Sequence, residues 1–286
     1  SGALLDEIEA LSENLSGPRK NQFGGAGRAP EIVGILNVTP DSFSDGGENI
    51  HTQHAVRHAL QMVENGAAII DVGGESTRPG ATPISTELEQ ERVLPVVDAL
   101  LRRGIPLSID TYHPDTMSAA SALGVTMLND ITGFSAYPES LRIAVASGRA
   151  LVLVHSASMA PTSCDEFDGG VAIEIFDALY QRVQIMEGLG VPRTNIIIDP
   201  GLGFNKSKEA NFKVLRWLGL FHGLGCQLML GASRKFGRVE NSRSPKDRLG
   251  GSIATCVYGV QQGVQLLRVH DVVETRQALG VWRAME

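Results

Sequence analysis

Asn37-Val38-Thr39-Pro40-Asp41-Ser42-Phe43-Ser44-Asp45-Gly46-Gly47 follows directly on the apolar run Ile32 to Leu36. It carries an amide, three hydroxyls and two carboxylates but no lysine or arginine. That set suits a hydrated divalent cation or a hydroxyl-rich ligand better than a bare anion. Asp71-Val72-Gly73-Gly74-Glu75-Ser76-Thr77-Arg78-Pro79-Gly80 opens on a carboxylate and puts Arg78 on a glycine-rich stretch. A guanidinium on such a loop can fork onto phosphate oxygens. Ser108-Ile109-Asp110, Leu128-Asn129-Asp130 and Ile198-Asp199-Pro200-Gly201 supply further groups after short apolar runs. Two carboxylates and an amide suit a flat, nitrogen-rich heterocycle. An aminopyrimidinone offers adjacent N–H donors to a carboxylate, and Asn matches its mixed donor and acceptor edge. Asp130 reads as a structural cap beside the better-placed Asn129. Gly231-Ala232-Ser233-Arg234-Lys235 adds a hydroxyl and two cations, and Arg268-Val269-His270-Asp271 places Arg268 and His270 on one face by strand alternation. Taken alone, each group reads as an ordinary loop, cap or surface residue.

What joins them is the order of the elements. Short apolar runs at 31–37, 68–72, 106–110, 126–129, 150–155, 195–199, 227–231 and 265–268 read as strands. Helix-period segments fall near 52–65, 85–103, 114–123, 138–147, 170–189, 208–220, 245–262 and 272–284. Eight strands alternating with eight helices in a chain of this length favour a (β/α)8 TIM barrel, an α/β fold, over a doubly wound sheet. Ser85 and Pro114 mark helix starts, and Gly66, Gly104, Gly124, Gly148 and Gly190 close helices. The polar residues gather where strands end, whereas links into strands, such as Gly104-Ile105-Pro106, are short and plain. In a parallel barrel all those ends share one face, so the groups converge on one pocket. Loops after the seventh and eighth strands commonly bind phosphate in this fold, which gives Lys235 and Arg268 an anion to meet.

The 286 residues, 43% hydrophobic, are enough for one large core. Residues 3 to 17 are weakly amphipathic, and 17 to 30 are rich in Gly and polar residues. We therefore expect an N-terminal extension over 1–30, a helix plus lead-in, ahead of a barrel domain over 31–286. A net charge of −7 argues against a nucleic-acid partner and leaves the basic residues as local anion binders. No run is long and apolar enough for a membrane span. Cys164, Cys226 and Cys256 have neither metal-ligand nor disulfide spacing, which points to a reducing, cytoplasmic setting.

Asn37–Gly47, Asp71–Gly80, Asp110, Asn129-Asp130-Ile131, Asp199–Phe204, Ser233–Lys235 and Arg268–Asp271 together resemble dihydropteroate synthase, in family order and over residues 31 to 284. The resemblance implies a folate-pathway transferase. It would join the pterin of 6-hydroxymethyl-7,8-dihydropterin diphosphate to the amine of 4-aminobenzoate and release diphosphate. By the same resemblance Asp110, Asn129, Asp199 and Lys235 would hold the pterin, with Asp71 among the substrate-binding groups. Asn37 would meet the Mg2+ that accompanies the diphosphate, and Arg78, Arg268 and His270 would bind its oxygens. Thr77, Pro79, Phe204 and Ser233 would shape the aminobenzoate site. Asp110, Lys235, Arg268 and His270 are the expected catalytic groups. The family also implies a homodimer, compatible with apolar residues in 253–267 and 278–285.

The chain departs from the family after the fifth strand. Val154-His155-Ser156-Ala157-Ser158-Met159 lacks the usual Met-His-Met, and Val154 stands where a methionine normally packs on the pterin. Ser156-Ala157 resembles the sulfonamide-insensitive branch, and Lys235-Phe236-Gly237-Arg238 differs from the common continuation. These changes bear on inhibitor response and substrate affinity. Two other readings compete: a pterin-binding methyltransferase domain, for whose cobalamin module the chain has no room, and a catalytically silent pterin-binding protein. The charged loop groups speak against both.

Overall fold

In the computed structural model the described residues are 2–17, 29–39, 48–75, 82–156, 168–204, 206–236 and 245–285, with the side chains of 2–4, 48–50 and 245–246 set aside. The strands are β1 Glu31–Asn37, β2 Ile69–Gly73, β3 Leu107–Asp110, β4 Met127–Asp130, β5 Ala150–Val154, β6 Ile196–Asp199, β7 Gln227–Leu230 and β8 Leu266–Val269. All are parallel, each pairs with the next, and β8 pairs back onto β1, which closes the barrel. The helices are α1 Gly2–Ser16, α2 Glu48–Glu64, α3 Thr86–Leu101, α4 Pro114–Leu123, α5 Pro138–Ser147, α6 Gly170–Gly188, α7 Lys208–Arg216, α8 Leu249–Gln261 and α9 Val272–Met285. This is the (β/α)8 barrel expected from the alternation of short apolar runs with helix-period segments.

Side-chain alternation along each strand divides the core in two. Leu36, Ile70, Val72, Leu107, Ile109, Leu128, Leu151, Leu153 and Ile198 point outward, into one cluster with the helices. Val33, Ile69, Met127, Ala150, Val152, Val154, Ile197, Met229 and Leu266 form a second cluster inside the barrel. The inward positions one step further along the strands are polar: Asp71, Asp110, Asn129, Asp199 and Arg268. The barrel interior therefore has an apolar layer and, toward the C-terminal strand ends, a polar one, which is where a polar ligand finds partners. Asp130 falls on the outward phase. Its carboxylate accepts from Thr132 N at 2.7 Å and Phe134 N at 3.1 Å, the capping role read from its neighbour Asn129.

The helix ends follow local chemistry. The Ser85 hydroxyl accepts from Leu88 N at 3.3 Å to start α3, and Pro114 opens α4, which Gly124 closes at φ 112°. The helix expected over 52–65 starts earlier, at Glu48, the one expected over 245–262 opens as a 3-10 turn, Pro245–Arg248, and the seventh differs most. The segment expected to be one helix over 208–220 ends as α7 at Arg216, and a 3-10 helix, Leu218–Leu224, replaces its continuation. The turn at Trp217 re-aims the chain so that Leu218, Phe221 and Leu224 are buried. The α1 helix lies against this segment, with Asn14 Nδ2 donating to Gly223 O at 3.0 Å, and is tied to α6 where Tyr180 Oη donates to Glu7 Oε1 at 2.5 Å. Among the described residues no helix is long and apolar enough to cross a membrane. Cys226 and Cys256 are buried free thiols, and Cys164 lies outside the described residues.

Candidate active site

The polar layer is organised around Arg268. Its Nε donates to Asp71 Oδ2 at 2.6 Å and its Nη2 to Asp110 Oδ2 at 2.5 Å, so one guanidinium spans β2, β3 and β8. Asn129 Nδ2 donates to the same Asp71 oxygen at 3.1 Å. Two buried acceptors in this group, Asp71 Oδ1 and Asn129 Oδ1, have no hydrogen-bond partner. A buried acceptor left unpaired costs on the order of 1–3 kcal/mol, which a ligand bearing N–H donors would recover. Two of the Arg268 donors, Nε and Nη2, are thus engaged with carboxylates of the floor.

Burial sets the charges here. Burial, opposed by Arg268 and reinforced by Asp71, lifts the Asp110 carboxyl to about 7. Burial also raises Asp199, although Lys235 opposes the shift. Burial weakens Arg268, but Asp71 and Asp110 outweigh it and hold the guanidinium above its ordinary value. Arg268 is therefore charged at any working pH, and Asp110 is the carboxylate whose charge is poised.

On the opposite side of the layer, Lys235 Nζ donates to Leu202 O at 2.6 Å and stands 4.3 Å from the centre of the Phe204 ring. Burial lowers its ammonium to about 8, against the pull of Asp199. Gly231 makes room for the pair: a Cβ there would lie 2.9 Å from Asp199 Oδ2 and 3.9 Å from Lys235 Nζ. Arg234 points elsewhere, with Nε at 3.1 Å and Nη2 at 2.5 Å from the Asp271 carboxylate. The alternation expected for Ser233, Arg234 and Lys235 arises from a turn rather than from extended strand, since Arg234 has φ 58°. Ser233 Oγ meets His270 Nδ1 at 3.0 Å and accepts from His270 N at 3.1 Å, which ties the exits of β7 and β8 together.

A third group was not legible in the sequence. Lys206 Nζ donates to three carbonyls, Gly201 O at 2.9 Å, His155 O at 3.3 Å and Phe204 O at 3.4 Å. Burial lowers this ammonium also to about 8. It staples the end of β5 to the loop that carries Phe204. Its partners are backbone atoms, so no residue pattern announces it. The His155 imidazole beside it is buried, and burial followed by the Lys206 charge lowers it to about 3. His155 is therefore neutral and no proton donor near pH 7.

Asn37 closes β1 on the inward phase, beside Gly73, and is half-buried. Its amide oxygen is a hard donor of the sort Mg2+ accepts, and one or two protein oxygens with substrate phosphates commonly complete such a shell. Val154 is inward and buried in the apolar layer, the position expected to face the ligand. Thr77, Arg78 and Pro79, with Asp41, Asp45 and Ala157 to Met159, lie outside the described residues.

Residues 33–270 match the pterin binding enzyme family. The dihydropteroate synthase of Escherichia coli strain K12 is 40% identical over 260 residues, covering 89% of this chain and 91% of the relative. A solved dihydropteroate synthase of Xanthomonas albilineans with 4-aminobenzoic acid superposes with a TM-score of 0.83 at 40% identity, over 90% of this chain and 93% of that one. The same enzyme in complex with 7,8-dihydropteroate gives 0.79 at 37% identity, over the same 90% and 93%.

The closed barrel, its polar C-terminal layer and this match make the chain a member of the pterin binding enzymes. Within that family it belongs with the dihydropteroate synthases.

Proposed function

We infer that the chain condenses 6-hydroxymethyl-7,8-dihydropterin diphosphate with 4-aminobenzoate, giving 7,8-dihydropteroate and diphosphate. The observation that carries this reading is the pair of unpartnered buried acceptors, Asp71 Oδ1 and Asn129 Oδ1, beside Asp110 at the C-terminal end of the barrel strands. A pterin edge rich in N–H donors completes them. Asp199 and Lys235 receive the remainder of the ring, with Lys235 turning from Leu202 O toward the pterin carbonyl.

The chemistry is a substitution at carbon. The bond between the pterin methylene and the bridging oxygen breaks, and its electron pair leaves with the diphosphate. The positive charge left on the methylene spreads into the dihydropterin, where the Asp110 carboxylate favours it electrostatically. The aminobenzoate nitrogen then forms the new C–N bond and loses a proton to the released diphosphate or to water. Asn37 would hold Mg2+, which when bound neutralises charge on the leaving diphosphate. Arg78 and His270 would face the diphosphate oxygens. Arg268 fixes Asp71 and Asp110 and would offer its remaining N–H groups to the same oxygens. Thr77, Pro79, Phe204 and Ser233 would line the aminobenzoate site. The barrel domain is taken as 31–286 and residues 1–30 as an extension. The acidic chain acts without nucleic acid or membrane, in the cytoplasm. We propose a homodimer, supported by exposed Val273, Val281 and Met285 on α9.

Incubation of the purified chain with both substrates and Mg2+ tests the reading. Dihydropteroate and diphosphate appear in equal amounts. Folded protein that binds the pterin but forms no dihydropteroate would favour a silent pterin binder instead.

A further inference from the structure

Outside the pterin floor, three titratable side chains from three elements meet where β2 and β3 leave the barrel. Glu75 follows β2, Glu89 lies in α3, and His113 precedes α4, with one ligand atom of each within 4.8 Å of the others. Gly74 permits the approach, since a Cβ there would lie 2.9 Å from Glu89 Cγ. Glu89 and His113 are 1% and 5% exposed, so this is not a solvated acidic surface.

The second observation is the imidazole itself. His113 Nε2 is buried, has no hydrogen-bond partner, and points at Glu75 Oε2 from 3.5 Å. A charge-assisted hydrogen bond is shorter, about 2.7–2.9 Å. Two ligands bound at about 2.0–2.1 Å in a tetrahedron stand about 3.3–3.4 Å apart, close to the spacing of the His113–Glu75 pair. The outer partners that orient metal ligands are also in place. Thr86 Oγ1 sits 3.2 Å from His113 Nδ1, which fixes the ring and, when Nδ1 carries the proton, leaves the Nε2 lone pair free. Thr111 Oγ1 donates to Glu89 Oε2 at 2.7 Å, and Tyr112 Oη donates to both Glu75 oxygens at 2.8 and 3.0 Å. The Glu75 side chain is 11% exposed, so the group is not fully closed off from solvent.

We propose that Glu75, Glu89 and His113 bind a divalent transition-metal ion, zinc or one of similar preference, at a site distinct from the magnesium expected at Asn37. One imidazole with two carboxylates suits zinc better than magnesium, which prefers oxygen alone. Occupancy ties the exits of β2 and β3 to α3, one residue before the segment that begins at Ser76.

Calorimetric titration of the chelator-stripped full chain with zinc chloride tests this without reference to turnover. One zinc binds per chain in the presence of excess Mg2+. Glu89→Gln and His113→Gln each weaken binding at least about a hundredfold, beyond the tenfold to hundredfold loss typical of outer-shell changes. His51→Ala with His54→Ala, on α2, leaves it unchanged. Anomalous scattering at the zinc edge from wild-type crystals gives a second reading that no variant's folding affects. A peak between the three side chains supports the site. Its absence, or zinc binding that survives both ligand variants, overturns it. An imidazolium of His113 paired with Glu75, with no zinc bound, would overturn it equally.

Discussion

Arg268 and Asp110 lie 158 residues apart in the chain, yet Arg268 Nη2 donates to Asp110 Oδ2 at 2.5 Å. With Nε on Asp71, the guanidinium holds two carboxylates that would otherwise repel one another inside the barrel. Removing it leaves uncompensated buried charge, which typically costs about 3–5 kcal/mol. Arg268→Met is therefore expected to lose that much stability in urea denaturation at pH 8. The loss shrinks toward pH 6, because Asp110, already raised to about 7, takes up a proton and relieves the repulsion. A loss under about 1 kcal/mol at pH 8 would mean the pair is not what holds the layer.

Neighbouring cations should differ in function. Lys235 faces Asp199 and Phe204, whereas Arg234 is spent on Asp271. Lys235→Ala is expected to lower pterin affinity and turnover far more than Arg234→Ala, which chiefly loosens the contact with Asp271. Calorimetry and steady-state rates on both folded variants decide it. A larger catalytic loss in Arg234→Ala would reverse the assignment.

The strands, their direction and the inward polar residues were legible because alternation and strand-end position are local properties. Asp71, Asp110, Asn129, Asp199 and Arg268 were all found in this way. What was not legible is how they pair. Arg268 reaches Asp71 across 197 residues, and only the closure of β8 onto β1 brings them together. Lys206 carries no signal in the sequence because it binds carbonyls, which every residue has. Likewise, Glu75, Glu89 and His113 have no common spacing, since they meet through the packing of α3 against the exits of β2 and β3. The break after α7 is hidden in the sequence because apolar Leu218 and Phe221 continue a helical pattern that the Gly-containing segment does not follow.

The two poised groups give a pH dependence with a definite sign. Asp110 is raised to about 7 and is the needed anion only above that value. Lys235 is lowered to about 8 and is the needed cation only below it, and Lys206 titrates in the same range. In the free enzyme kcat/KM for the pterin substrate should rise through about 7 and fall through about 8. Asp110→Asn removes the acid limb. A flat profile between pH 6 and 9 would contradict this assignment.

Backbone contact at the end of β5 separates two glycines of similar conformation. Gly201 has φ +70° and a Cβ there would fall 1.8 Å from His155 O, whereas Gly104 has φ +72° and open space. Gly104→Ala should cost only the conformational strain, about 1–3 kcal/mol. Gly201→Ala should cost clearly more and release the Lys206 staple. Thermal melts of the two variants compare them, and equal losses would show that the β5 contact yields freely.

The central claim is that Asp110 favours the positive charge that develops on the pterin as diphosphate leaves. The most direct measurement is kcat for Asp110→Asn at pH 8, where the native carboxylate is charged, alongside the pterin dissociation constant. Asn keeps the size and a hydrogen-bonding group but removes the charge. Loss of one such preorganised group typically costs about a hundredfold or more in rate. A fall of that order in kcat is expected, with a smaller change in binding and an unaltered fold. Near-native kcat in the folded variant would contradict it.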